Sequence, residues 1–94
     1  MEILSPVHLL RQAQVYAKIE ELTERSGKMR AATLKKHFSH YPLAMYLEHL
    51  QAYPAQIERV ADGYRTAAGY ARFKERSRRK VLHLTTNYPL NPAA

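Results

Sequence analysis

The chain of 94 residues contains no cysteine, which excludes disulfides, thiolate metal sites and a cysteine nucleophile. A hydrophobic content of 46% argues against global disorder, and the length suits one domain with a modest core. The net charge is +7 and unevenly spread: residues 55–94 hold eight Lys or Arg against three carboxylates, while residues 1–26 are slightly acidic. Such asymmetry points to a polyanionic partner.

No apolar run approaches the roughly 20 residues needed to cross a bilayer. The opening Met1–Pro6 lacks the basic-then-apolar order of a signal peptide. A cytoplasmic protein without integral membrane association is therefore expected.

The first predicted helix starts at Ser5, whose hydroxyl can cap exposed backbone N–H groups, with Pro6 at a position where no N–H is needed. It runs to about Ser26, and Gly27 is a natural stop. Val15, Ile19 and Leu22 share one face, on which His8 is expected to be half-buried. Leu9, Leu10, Ala13 and Ala17 form an adjoining face. So wide an apolar circumference calls for more than one neighbour or for a second chain, so a homodimer is expected.

A second helix is predicted over Met29–Phe38, with Ala31, Leu34 and Phe38 inward. Pro42 disfavours helical geometry at Tyr41 and separates it from a third helix over Pro42–Gln51. Leu43, Tyr46, Leu47 and Leu50 make the apolar stripe of that third helix. Pro54 resets the chain again, and a long fourth helix is predicted from Pro54 to Lys80 on the recurrence of Ile57, Val60, Ala61, Tyr64, Ala67, Ala68 and Ala71. Gly63 and Gly69 would each weaken that helix by about 1 kcal/mol relative to alanine and read as packing sites or bends. Val81–Thr86 alternates and is open to a strand, helix or coil reading, and Asn87–Pro92 reads as an extended tail. The expected architecture is all-α: a small bundle of about four helices with a long basic C-terminal helix, one domain over residues 1–86 and an extended tail over 87–94.

At 100° per residue, Arg65, Arg72, Arg76 and Arg79 of the fourth helix align in one stripe beside its apolar face, and Lys74, Arg78 and Lys80 widen the positive surface. Guanidinium groups hold phosphate through paired donors, so such a row can track a nucleic-acid backbone. Tyr70 and Phe73 project from the core stripe, either to stack on bases or to pack on the first helix or the C-terminal segment. A second basic cluster comprises Lys28, Arg30, Lys35, Lys36 and His37. With the third helix it would make a helix-turn-helix, but that helix offers only Gln51 among the favoured base-reading side chains and the connection lacks glycine.

No phosphate-binding glycine loop, catalytic carboxylate pair or His-Glu-x-x-His pattern is present, and the five histidines read as structural or solvated. No enzyme activity, cofactor or metal is expected. The expected function is that of a small basic nucleic-acid-binding accessory or regulatory protein, for DNA or RNA, that contacts the phosphate backbone largely independently of sequence. The alternative is a protein-interaction module (a small adaptor, inhibitor or regulatory subunit) that binds an acidic protein surface. Peripheral binding to an anionic membrane ranks last, because the fourth helix lacks large apolar insertion residues.

Overall fold

The computed structural model describes the backbone of residues 5–87 and the side chains of residues 5–80. The elements follow in the order α1 (Pro6–Ser26), β1 (Met29–Arg30), α2 (Ala31–His37), α3 (Leu43–Gln51), β2 (Glu58–Val60), β3 (Gly63–Arg65) and α4 (Ala67–Asn87). Among the described residues the fold is therefore mainly helical, with four helices and a small antiparallel sheet of order β1-β3-β2. The residues expected to form an extended tail lie outside the described residues, apart from Asn87, which ends α4.

The first helix is bounded as the sequence predicts. The Ser5 hydroxyl accepts the His8 backbone N–H at 3.3 Å. At the other end Gly27 takes φ 92°, a left-handed conformation that side chains disfavour, and donates its N–H to the Thr23 carbonyl. A β-carbon there would also meet the Phe73 ring at 3.1 Å.

The predicted second helix is shorter than the sequence suggests. Met29 and Arg30 leave it to form β1, whose partners are Tyr64 and Gly63 of β3. The larger correction concerns residues 54–66, predicted as the first half of the long helix. They form a connection, exposed up to Gln56, and a β-hairpin in which Val60 faces Gly63 across a two-residue turn, Ala61-Asp62. The helical spacing of Ile57, Val60, Ala61 and Tyr64 was coincidental. Asp62-Gly63 between β-branched and aromatic residues carried the competing hairpin signal. Gly63 is required by close approach, since a β-carbon would collide with the Met29 backbone. The helical pattern downstream is real, and α4 passes Lys80 to end at Asn87 rather than turning into a strand at Val81.

The core lies where α1, α2, α3 and the sheet meet. Val15 and Ile19 of α1, Met29 of β1, Leu34 of α2, Tyr46 and Leu50 of α3, and Ile57 are buried together. Leu43 and Leu47, expected in the stripe of α3, are only partly buried against this cluster. A fully buried aliphatic side chain contributes about 1.5–3 kcal/mol, so these residues rather than exposed ion pairs fix α1 over the helix pair. The N-terminal half of α1 is tied to α3 and to the turn before it by polar contacts as well. His8 Nδ1 lies 2.7 Å from the Tyr46 hydroxyl, and the Tyr41 hydroxyl donates to Gln14.

The last helix packs on the C-terminal half of α1 and runs in the same direction. Gly69 sits beside Glu20 and Thr23, Arg72 reaches Glu20 and Glu24, and Phe73 lies against Gly27. From Lys74 to Lys80 every side chain of α4 is exposed.

Candidate nucleic-acid interface

Each arginine of the predicted row has a partner among the described residues. Arg65 stands on β3, directly across from Glu58 on β2, and the two side chains form an ion pair. Arg72 bridges Glu20 at 3.1 Å and Glu24 at 3.3 Å, both on α1. Arg76 donates to the backbone carbonyls of Glu24 and Arg25, where the last turn of α1 leaves acceptors unsatisfied. Arg79 pairs with Glu75 on its own helix. The hydrogen bond that Arg65 donates to Glu58 raises its guanidinium above the ordinary pKa, and the one that Arg72 donates to Glu20, reinforced by Glu24, does the same for Arg72. Arg72 and Arg76 thus brace α4 against α1, and Arg65 links the two hairpin strands, whereas the Arg79 pair lies on the exposed surface of α4.

The two aromatics are likewise engaged. Phe73 is half-buried and covers Gly27, the packing alternative to base stacking. Tyr70 stacks beside it with ring centroids 6.2 Å apart at 18°. Its ring also carries the Arg65 guanidinium at 3.9 Å and the Lys74 ammonium at 4.8 Å.

Lysines 35 and 36 of the predicted second cluster are exposed on α2 and form no ion pair among the described residues. Arg59 on β2 is equally exposed and unpaired among them, as are Lys74, Arg78 and Lys80 on α4. Lys28 and Arg30 differ, since both face Asp62 at the hairpin turn, and the Lys28 hydrogen bond holds that carboxyl below its ordinary value.

α2 and α3 are joined by a five-residue turn over residues 38–42, and the β2–β3 hairpin follows α3 and pairs back onto β1, just before α2. The exposed positions of α3 are Ala44, Glu48 and Gln51, spaced four and three so that they share one face. That face borders an open groove of about 510 Å³, lined also by Leu47, Ala52 and Tyr64 of β3. Tyr53, just beyond α3, is almost wholly exposed.

Sequence reasoning missed Arg59, because it placed that residue on a helix. It also gave the helix-turn-helix little weight, because the connection lacks glycine and the helix lacks basic residues. Among the described residues no group of three or more His, Asp or Glu side chains is placed to hold a metal ion. No helix of the described residues is long and apolar enough to cross a membrane. No protein-family model, curated protein or solved structure matches the chain.

Proposed function

We propose that this protein is a small duplex-DNA-binding regulator whose helix-turn-helix pair, α2–α3, and adjoining β2–β3 hairpin form the contact surface. The observation that carries the reading is the chain order, in which a helix pair is followed by a hairpin that returns to the strand preceding it. Helix pairs of this kind present their second helix to the major groove while the flanking elements hold the phosphates.

The residue roles follow from chemistry. Lys35, Lys36 and Arg59 supply backbone contacts, and Lys74, Arg78 and Lys80 extend the positive field along α4. Arg65, Arg72, Arg76 and Arg79 each already have a partner in the fold and so are given a smaller part in the contact. Of the exposed α3 positions, Gln51 can pair with adenine and Glu48 can accept from cytosine, but neither is basic. Binding is therefore dominated by the backbone, with limited readout of sequence. A homodimer would place two such surfaces about one two-fold axis, the arrangement that reads paired half-sites.

The test is a fluorescence anisotropy titration against short duplex DNA, single-stranded DNA and RNA at two salt concentrations. Duplex binding should weaken steeply with salt. Replacing Lys35, Lys36 and Arg59 together by glutamine should reduce the slope of log affinity against log salt by up to about 2.7, near 0.9 for each lost phosphate contact. Unchanged affinity in that triple variant would eliminate this surface. Absence of nucleic-acid binding at low salt would favour the alternative, a module whose exposed cations meet an acidic protein surface.

A further inference from the structure

We infer that the protein bridges two segments of duplex DNA, one on the α2–α3 surface and a second on the exposed end of α4. Bridging presupposes the duplex-binding reading above and adds a separate contact to it. Strand alternation supplies the geometry. Arg59 and Tyr64 are cross-strand partners in the hairpin, so their side chains share one face of the sheet. Tyr64 lines the groove beside the exposed positions of α3. Glu58 and Arg65 are the neighbouring pair and therefore share the opposite face. There the Arg65 guanidinium lies over the Tyr70 ring of α4 at 3.9 Å. The hairpin thus stands between the α3 groove and the first turns of α4.

On that second face positive charge runs outward along α4. Lys74 lies 4.8 Å from the Tyr70 ring and borders, with Gln56 and Glu58, a groove of about 320 Å³. Arg78 follows one turn on, on the same side of the helix. Arg76 holds the carbonyl end of α1, yet the helix continues to Asn87. At 1.5 Å rise per residue its axis runs roughly 16 Å beyond that contact.

The exposed stretch of α4 is built for phosphate. Lys74, Arg76, Arg78, Arg79 and Lys80 stand against the single carboxylate of Glu75, which pairs with Arg79. Like charges one turn apart, Lys74 with Arg78 and Arg76 with Lys80, repel each other in a bare helix, and phosphates placed among them relieve that repulsion. A helix about 10–12 Å across also fits a major groove about 12 Å wide, where its cations meet both phosphate walls. A straight duplex seated in the α3 groove has the hairpin between it and Lys74, so the cations of α4 are left for a second segment.

Two-colour fluorescence cross-correlation on the intact chain at low salt, with two unrelated short duplexes carrying different dyes, tests this. With the wild-type protein the two colours should diffuse together. The joint fraction should rise and then fall as protein exceeds duplex, because excess protein gives each duplex its own copy. Lys74→Gln, Arg78→Gln and Lys80→Gln together should lower that fraction by about tenfold or more, the scale of three lost phosphate contacts. The circular dichroism spectrum should not change, since all three side chains are exposed, and anisotropy with a single duplex should still report binding. Lys35→Gln, Lys36→Gln and Arg59→Gln together remove the same charge, yet should weaken single-duplex affinity more than the α4 triple does. Joint diffusion that survives the α4 substitutions would mean a dimer carrying two helix-pair surfaces and would overturn bridging by α4. Single-duplex binding without joint diffusion would overturn it too, leaving the helix-pair reading in place and α4 to an acidic protein surface. No duplex binding of either kind would remove both readings together.

Discussion

The hydroxyl of Thr23, in the last turns of α1, accepts the backbone N–H of Thr66 at 3.3 Å while donating its own proton to the Ile19 carbonyl at 2.6 Å. Both threonines are fully buried. Thr66 in turn accepts the Gly69 N–H at 3.0 Å and so caps the start of α4. One short polar chain therefore ties the end of the sheet, the start of the last helix and the middle of the first. Thr23→Val keeps the shape but strands a buried donor. It should lower unfolding free energy by about 1–3 kcal/mol, read from the midpoint of urea denaturation at unchanged slope. Loss below about 0.5 kcal/mol would show that water replaces the hydroxyl.

Gly69 tests the close crossing of α1 and α4. On helix propensity alone, Gly69→Ala should stabilise by about 1 kcal/mol. A β-carbon there would sit 2.8 Å from the Glu20 carbonyl oxygen and from the Thr66 hydroxyl, and 3.0 Å from Thr23. Two of these neighbours belong to the buried threonine chain and one is helix backbone, so little can yield. The steric term should win, with a net destabilisation of about 1–3 kcal/mol. A variant as stable as the wild type would mean that the two helices move apart at no cost.

The arginines on α4 separate two roles that charge counting cannot. Arg72→Gln removes exposed bridges to Glu20 and Glu24, and Arg76→Gln removes a cation from the carbonyl end of α1, where it opposes the helix dipole. Each should lower the melting temperature modestly, because exposed ion pairs are screened by solvent. Neither should change duplex affinity as Lys35→Gln, Lys36→Gln and Arg59→Gln do. Equal affinity losses in the two sets would restore the arginine row as a contact surface.

Much of the fold is legible locally. Ser5-Pro6 and Gly27 delimit α1, Pro42 and Gln51 bracket α3, and the 15/19 and 46/50 spacings mark buried faces, because caps and helical periodicity act through neighbours in sequence. The sheet is not legible in that way. Met29 and Arg30 are strand residues only because Gly63 and Tyr64 pair with them more than thirty positions later. The basic composition is legible too, but its partition is not. Whether Arg72 meets solvent or Glu20 depends on α4 lying along α1, a tertiary fact that a helical projection omits. Asp62-Gly63 was the local signal that could have recovered the hairpin, and with it the strand position of Arg59.

Asp62 couples stability and pH at the hairpin turn, and on the proposed reading duplex binding as well. Its carboxylate takes a hydrogen bond from Lys28 and faces Arg30, while its backbone carbonyl accepts the Ala31 N–H at 2.9 Å, joining the turn to the start of α2. The Lys28 hydrogen bond, then the charges of Lys28 and Arg30, hold the carboxyl below the ordinary aspartate value. Since the folded value lies below the unfolded one, the stabilisation is complete above roughly pH 4 and is lost as pH falls through the folded value. Glu21, lowered chiefly by its hydrogen bond from Lys18, adds a contribution of the same sign. Melting temperature should therefore decline from pH 5 to pH 3, and Asp62→Asn should make that decline shallower without lowering the plateau by much, because the pair is exposed. The same substitution releases Lys28 and Arg30 beside the helix pair. At neutral pH it should strengthen duplex binding and steepen its salt dependence by up to about 0.9 per added phosphate contact. A weaker or unaltered affinity in Asp62→Asn would place the hairpin turn away from the nucleic acid.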